Sequence, residues 1–377
     1  MGQWTQAATG RMASRVSERF DIAVIGAGMA GASIAAELAP HARVLVAEGE
    51  RQPGYHTTGR SAAFWEQCYG GPGVVPLTLA SGTWLRDHGF LHTRGALYVA
   101  RDGQVGELDA FERTFAGTGV TIQRVGRGEM EGMVPGLRTG WNQAISEPDC
   151  ADIDVAGLHQ HYLAAARRAG AEIRTAYRLE RAGTRWRLTF ANGGQVEADT
   201  VVNAAGAWAD EVAGMAGAPP LGITPYRRTI AQVRTDPPVP ATLPLVLGID
   251  GSFYFKPENG KLWLSPHDET PSPAADVAAE ELDVALAIDR FEQVVDWRIA
   301  ALERKWAGLR SFAPDRLPVY GWDKRCAGFF WFAGQGGFGI QTAPAAARLA
   351  AQVLLGRGPD AMTAQIDPAV YSPARFG

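Results

Sequence analysis

The sequence predicts an α/β protein, α+β overall, in which a Rossmann-like dinucleotide-binding domain is interleaved with a substrate domain on a mixed or antiparallel β-sheet. Three observations carry this. Ile22 to Glu48 read in order as apolar strand, glycine turn, Ala-rich helix, apolar strand and acid. A second glycine loop, Gly334 to Gly339, again stands between an apolar strand and a helix, near the other end of the chain. Between the two lie short apolar runs punctuated by Gly and Pro, the pattern of antiparallel strands.

The first unit is Ile22-Ala23-Val24-Ile25-Gly26-Ala27-Gly28-Met29-Ala30-Gly31-Ala32. Gly26 permits the tight turn, Gly28 lets backbone approach a pyrophosphate, and Gly31 lets the helix pack closely on the strand. The helix beginning near Met29 then offers free N–H groups and its dipole to phosphate. Glu48 ends the next strand, placed to accept from an adenosine ribose. A glycine turn alone is a weak signal, because such turns are common. This one sits in the strand, helix and acid context that the motif requires.

The chain has 377 residues, enough for two domains and a buried cofactor. An apolar fraction of 46%, a charged fraction of 20% and a net charge of −4 are those of a globular protein without a basic footprint for nucleic acid. Cys68, Cys150 and Cys326 are odd in number and lack ligand spacing, so neither disulfides nor a metal site is expected, and a reducing, cytoplasmic location is. Residues 1 to 19 have no continuous apolar core and read as a disordered leader; no stretch is long enough for a membrane span.

Residues 52 to 65, rich in Gly, Thr and Arg, are expected to touch ligand, and 74 to 147, with a strand at Ala96 to Ala100, to leave for the second domain. Val155 to Ala169 has apolar residues at helical spacing and ends at Gly170. Strands at Glu172 to Tyr177, Arg185 to Phe190 and Gln195 to Ala198, with a turn at Asn192-Gly193-Gly194, suggest a meander. Thr200 to Trp208 is an apolar strand running into another glycine turn. Residues 226 to 304 resume the second domain, with strands at Thr229 to Val233, Ser252 to Lys256 and Lys261 to Leu264 and a helix over about Ala278 to Trp297. The last strand, Gly328 to Ala333, leads through the second loop into a helix reaching about Leu355. The dinucleotide domain is thus expected at 20–73, 148–222 and 305–377, and the substrate domain at 74–147 and 223–304.

Two ligand-like loops so far apart favour FAD over a nicotinamide. The first loop would hold the ADP half, while the N-terminus of the distant helix faces the flavin N1/C2=O edge, which becomes negative on reduction. A nicotinamide dehydrogenase is the rival from another class, and a flavoprotein without turnover is a third.

Six blocks carry a family resemblance: Val24 to Ala32; Pro53-Gly54-Tyr55-His56-Thr57-Thr58-Gly59-Arg60-Ser61-Ala62-Ala63; Ala151 to Asp154; Val202 to Trp208; Ala307 to Phe312; and Gln335 to Thr342. In these the chain resembles the FAD-dependent D-amino-acid oxidase and dehydrogenase superfamily, within it the bacterial D-arginine dehydrogenases. The resemblance implies non-covalent FAD held by Gly26, Gly28, Met29, Gly31, Glu48, His56, Thr58, Gly59, Arg60, Ser61, Ala62, Ala205, Gly206, Trp208, Gly336, Gly337, Phe338, Gly339, Ile340 and Gln341. It further implies that Arg310, Arg228, Tyr254 and Tyr69 surround a substrate carboxylate and that the Gly337 carbonyl accepts from the substrate amine. Arginine suits the first task because its planar fork pairs bidentately and stays charged. Arg227 is the close rival of Arg228, and strand alternation sets Tyr254 opposite Phe253 and Phe255.

The implied reaction is oxidation of a D-amino acid at Cα by hydride transfer to flavin N5, giving a 2-oxo acid and ammonia, with oxygen or a quinone-linked carrier as electron acceptor. A deprotonated amine suffices, so His56 is not needed as a base. The match departs at two places. No acid stands in Gly89 to His92, where the D-arginine enzymes hold the cationic end of substrate, while Phe64 and Glu66 replace a histidine and a threonine. Apolar or aromatic side chains are therefore expected to be favoured, with Glu66 an alternative source of charge. Glycine, sarcosine, cyclic secondary amines and 2-hydroxy acids are the alternative substrates. Ala307 and Gly308 stand where the sarcosine-oxidase branch has its flavin-attaching cysteine.

Overall fold

The computed structural model describes residues 18–183 and 186–377, in two large sheets and a small one. The expected leader over 1–17 and the strand start at Arg185 lie outside the described residues. Glu18 and Arg19, assigned to that leader, instead open the first strand, Glu18–Ile25, where they pair with Val196 and Glu197.

The first sheet is parallel at its centre. Glu18–Ile25 is flanked by Val44–Ala47 and Gln195–Asn203, and the latter pairs in parallel with Phe329–Ala333. Val44–Ala47 and Phe329–Ala333 are buried throughout, as expected of strands covered on both faces. Helices Met29–Leu38, Val155–Arg168 and Ala343–Leu355 bury their apolar faces against the sheet and one another. Val155–Arg168 starts where the Asp154 side chain accepts from the Gly157 N–H, and it stops before Gly170 at φ +94°. The meander differs from expectation. Glu172–Arg174 pairs in parallel with Val44–Ala47, and the antiparallel set is Leu179–Ala182, Arg187–Phe190 and Gln195–Asn203. The two runs expected around Ala198 and Thr200 are one continuous strand.

The second sheet has ten strands and is largely antiparallel. Its longest members, Thr224–Asp236 and Arg298–Phe312, pair along nearly their whole length. The expected boundary at 304/305 falls inside the second of these, so Arg310 lies within a strand of this sheet and not in a loop preceding a cofactor strand. Helix Glu281–Glu292 is shorter than expected at both ends and packs Val284, Ala287 and Phe291 against Phe255 and its neighbours. Gln335–Gly336 pairs with Ser311 and Phe312. That short ladder brings the second glycine loop beside Arg310.

Candidate active site

One cavity of about 460 Å³ runs between the two sheets and takes in both glycine loops. Its lining at the first loop includes Gly26, Gly28, Met29, Glu48, Thr58 and Trp208. Gly26 has φ +101°, and a Cβ there would meet the Ala204 carbonyl oxygen at 2.6 Å; one on Gly31 would meet the Gly26 carbonyl oxygen at 1.9 Å. Backbone thus approaches backbone where side chains would bar it, leaving a cradle at the helix N-terminus. The Thr58 hydroxyl accepts from the Met29 N–H (2.9 Å), and the Glu48 carboxylate from the Ala27 N–H (2.7 Å).

The other residues expected at the cofactor divide into two groups. His56, Arg60, Ser61, Ala62, Ala205, Gly206, Gly336, Gly337, Gly339 and Ile340 line the cavity. His56 meets Glu50 at 3.1 Å and sets its ring 4.7 Å from that of Trp208. The Arg60 guanidinium is engaged by Asp276 and by the carbonyls of Val277 and Ala307, which ties the first domain to the second. Gly31, Gly59, Phe338 and Gln341 do not line it. A Cβ on Gly59 would meet the Gly54 carbonyl oxygen at 2.7 Å, so this glycine shapes the loop. Phe338 packs on Tyr69 and Phe312. Gln341 bonds the backbone of Glu66 and the Thr78 hydroxyl, stapling the second loop to residues 66 to 78.

Beside the second loop the sheet register assembles a cationic clamp. Arg228 pairs with Gly308 and Tyr226 with Arg310, so alternation sets both guanidinium groups on one face. Arg227 points the other way, to Glu280 and Asp283 at the start of the helix behind, so that of the two neighbours Arg228 faces the cavity. Arg228 and Arg310 are each only 7% exposed. Arg310 donates to the Tyr69 hydroxyl (2.7 Å) and to Glu269 (2.7 Å), and Arg228 donates to the Asp268 carbonyl (2.9 Å). Among the described residues one Arg228 terminal nitrogen, 3.7 Å from Glu269, and the Arg310 Nε are buried without a hydrogen-bond partner. Burial and the neighbouring Arg310 push the Arg228 pKa down to about 10. Donors left over in a desolvated pair of cations mark a place for an anion. Gly337 completes the corner: a Cβ there would lie 1.8 Å from the Tyr69 hydroxyl.

Tyr254 is buried on the same face and lines the cavity, while Phe253 and Phe255 join the core behind. His267, which the sequence reading passed over, also lines the cavity, with its ring edge-on to Tyr254. Burial, with Arg228 and Arg310 nearby, lowers its pKa to about 3, so this imidazole is neutral across the working pH range.

Residues 89 to 92 lie off the cavity. Leu91–Thr93 belongs to the small sheet and pairs with Ala151–Ile153. The missing acid in that segment therefore says nothing about the pocket of this chain. The polarity comes from Glu66, which is 4% exposed and lines the cavity. Its carboxyl is bonded by Tyr98, whose hydroxyl also lies 3.4 Å from Glu147. Tyr98, Glu147, Glu269 and His267 were missed because nothing in their local sequence sets them apart; strand pairing places Tyr98 and Glu147, and the loop between Lys261–Ser265 and Thr270–Pro271 carries His267 and Glu269.

Among comparisons with known proteins, the family model described as FAD dependent oxidoreductase matches residues 21–353. A glycine oxidase of Pseudomonas aeruginosa is 28% identical over 397 residues, covering 95% of this chain and 99% of that protein. A glycine oxidase of Geobacillus kaustophilus is 26% identical, covering 90% and 94%. Among solved structures, the L-proline dehydrogenase of P. horikoshii superposes with a TM-score of 0.81 at 22% identity, covering 96% of this chain and 98% of that one.

Proposed function

The chain belongs to the family of FAD-dependent oxidoreductases, and on that premise we propose that it oxidises an α-amino acid at Cα, releasing the 2-oxo acid and ammonia. The observation that carries this reading is the buried pair Arg228 and Arg310, with N–H groups that have no hydrogen-bond partner among the described residues, beside the second glycine loop. The glycine cradle that admits backbone but no Cβ fits an ADP moiety at Gly26 to Gly31, and Gly336, Gly337, Gly339 and Ile340 would lie against the flavin ring. When bound, the flavin supplies a two-electron acceptor.

The protein's own contribution is positioning. Arg310, Arg228, Tyr254 and Tyr69 hold the substrate carboxylate, and the Gly337 carbonyl accepts from the neutral amine and fixes its orientation. The ammonium form gives its proton to solvent before binding, the neutral amine then loses only a hydride from Cα, and water hydrolyses the resulting iminium to the 2-oxo acid and ammonium. His267 stays neutral and leaves the clamp's positive charge undisturbed. Beyond the clamp the walls are apolar, with Phe64, Phe111, Ile230 and Leu247, which favours apolar or aromatic side chains over arginine. The D configuration rests on the resemblance of the sequence blocks to D-amino-acid enzymes. Cys68 lines the cavity, but burial and the adjacent Glu147 and Glu66 raise its pKa and keep it protonated, in keeping with a non-covalent flavin.

A second reading, glycine or a small secondary amine, is supported by the glycine oxidases among the relatives. Anaerobic flavin bleaching by a panel of D- and L-amino acids, glycine, sarcosine and 2-hydroxy acids tests both. D-Met, D-Phe or D-Leu should exceed D-Arg and D-Lys in kcat/KM. The reverse order defeats the apolar preference, and bleaching by none of them defeats the reaction itself. Admitting air afterwards shows whether oxygen or another acceptor takes the electrons.

A further inference from the structure

Glu66, Tyr98 and Glu147 meet in the interior from three separate stretches of chain. Tyr98 bridges the carboxyls, and Glu147 also accepts from the backbone N–H groups of Gln67 (2.6 Å) and Cys68 (3.4 Å). Among the described residues neither acid forms a salt bridge. Two carboxyls so close and so buried cannot both ionise, so the pair retains a proton. Burial raises the pKa of both, but Glu147, with two N–H donors, is the better anion, and Glu66, raised further by Glu147, is the member that stays neutral.

A neutral carboxyl is compatible with an apolar pocket, and it adds one hydrogen-bonding oxygen to the wall. With the Glu66 O–H donating to the Tyr98 oxygen and Tyr98 donating to the Glu147 carboxylate, the second Glu66 oxygen is the carbonyl, an acceptor that no protein group bonds among the described residues, and Glu66 lines the cavity. The register fixes where it stands relative to the clamp. Tyr254 pairs with Leu247, and Leu247 with Tyr98, so these three side chains form one row on the cavity face. With strands roughly 4.8 Å apart, Tyr98 lies about 10 Å from Tyr254 along the sheet. Leu247, Phe64 and Ile230 fill the interval with apolar surface.

We propose that Glu66 is a specificity residue that accepts a hydrogen bond from a neutral O–H or N–H at the far end of an otherwise apolar, aromatic-length substrate side chain. The inference rests on the amino-acid reading above and deepens it: carboxylate on Arg228 and Arg310, ring across Leu247, donor on Glu66. Tyrosine and phenylalanine differ only by such a donor.

The test compares these two amino acids, in the enantiomer the panel selects, by anaerobic flavin reduction. Tyrosine should exceed phenylalanine in kcat/KM by about 5- to 10-fold in the natural protein. Glu66→Gln keeps an acceptor oxygen and should retain that ratio; Glu66→Leu removes it and should bring the ratio to about one. A parallel titration needs no turnover: 3-(4-hydroxyphenyl)propanoate and 3-phenylpropanoate, followed by flavin absorbance, should show the same ratio in Kd. If neither amino acid bleaches the flavin while the Kd ratio holds, the oxidation reading fails and the role of Glu66 stands. A ratio near one in the natural protein, which requires no variant to fold, overturns the proposal. So does a ratio that survives Glu66→Leu.

Discussion

Gly337→Ala isolates the corner where the second loop meets the clamp. Gly337 has an ordinary backbone conformation, so alanine adds no φ strain. Its Cβ would, however, lie 1.8 Å from the Tyr69 hydroxyl and 3.1 Å from the Arg310 Cδ. Real Cβ contacts stay beyond 3.0 Å, so the tyrosine hydroxyl must leave its place. It is 2.7 Å from Arg310 now, and movement of that size breaks the bond. A hydrogen bond to a charged group contributes about 1.5–3 kcal/mol, so the loss predicts a fall in kcat/KM of roughly 10- to 150-fold. Stopped-flow flavin reduction with the best amino acid of the panel measures it, with flavin content and Tm as checks on folding. Tyr69→Phe should fall comparably, since it removes the same hydroxyl without crowding. If Gly337→Ala with full flavin content stays within about threefold of the natural protein, Tyr69 is not organising Arg310 for substrate.

The two neighbouring arginines should behave oppositely. Arg228→Met strips a buried cation from the clamp and should raise the Kd of a carboxylate ligand by roughly 100-fold, whereas Arg227→Met should leave that Kd within about threefold and lower Tm by releasing Glu280 and Asp283; equal effects on Kd would refute the facing read from the register. Gly31→Ala, whose Cβ would meet the Gly26 carbonyl oxygen at 1.9 Å, should yield protein depleted in flavin and lower in Tm, seen in the absorbance ratio of flavin to protein. Burial and Arg310 lower the Arg228 pKa, yet the guanidinium stays charged across the working range, so the Kd of a carboxylate ligand should not rise between pH 8 and 10. A rise over that span would contradict this.

Much of the fold was legible because its signals are local. The turn at Gly26, the N-cap at Asp154 and the stop at Gly170 are backbone requirements met by single residues. Arg228 and Arg310 were legible only through the resemblance, and their sequence neighbours gave no reason to prefer Arg228 to Arg227. The expected boundary at 304/305 falls inside Arg298–Phe312, which runs unbroken through Gly308, where a Cβ would stand 3.4 Å from that of Arg60.

The sequence by itself determined the dinucleotide cradle, the second glycine loop and hence a flavin, because the strand before each glycine turn and the helix after it are local signals that sequence carries. Tertiary structure alone decided which arginine faces the cavity and what polarity the substrate pocket has. A one-residue change of register exchanges Arg227 for Arg228, and Glu66 holds a raised pKa only because folding buries it with Glu147 against Tyr98. Burial and pairing between distant strands are properties of the whole chain.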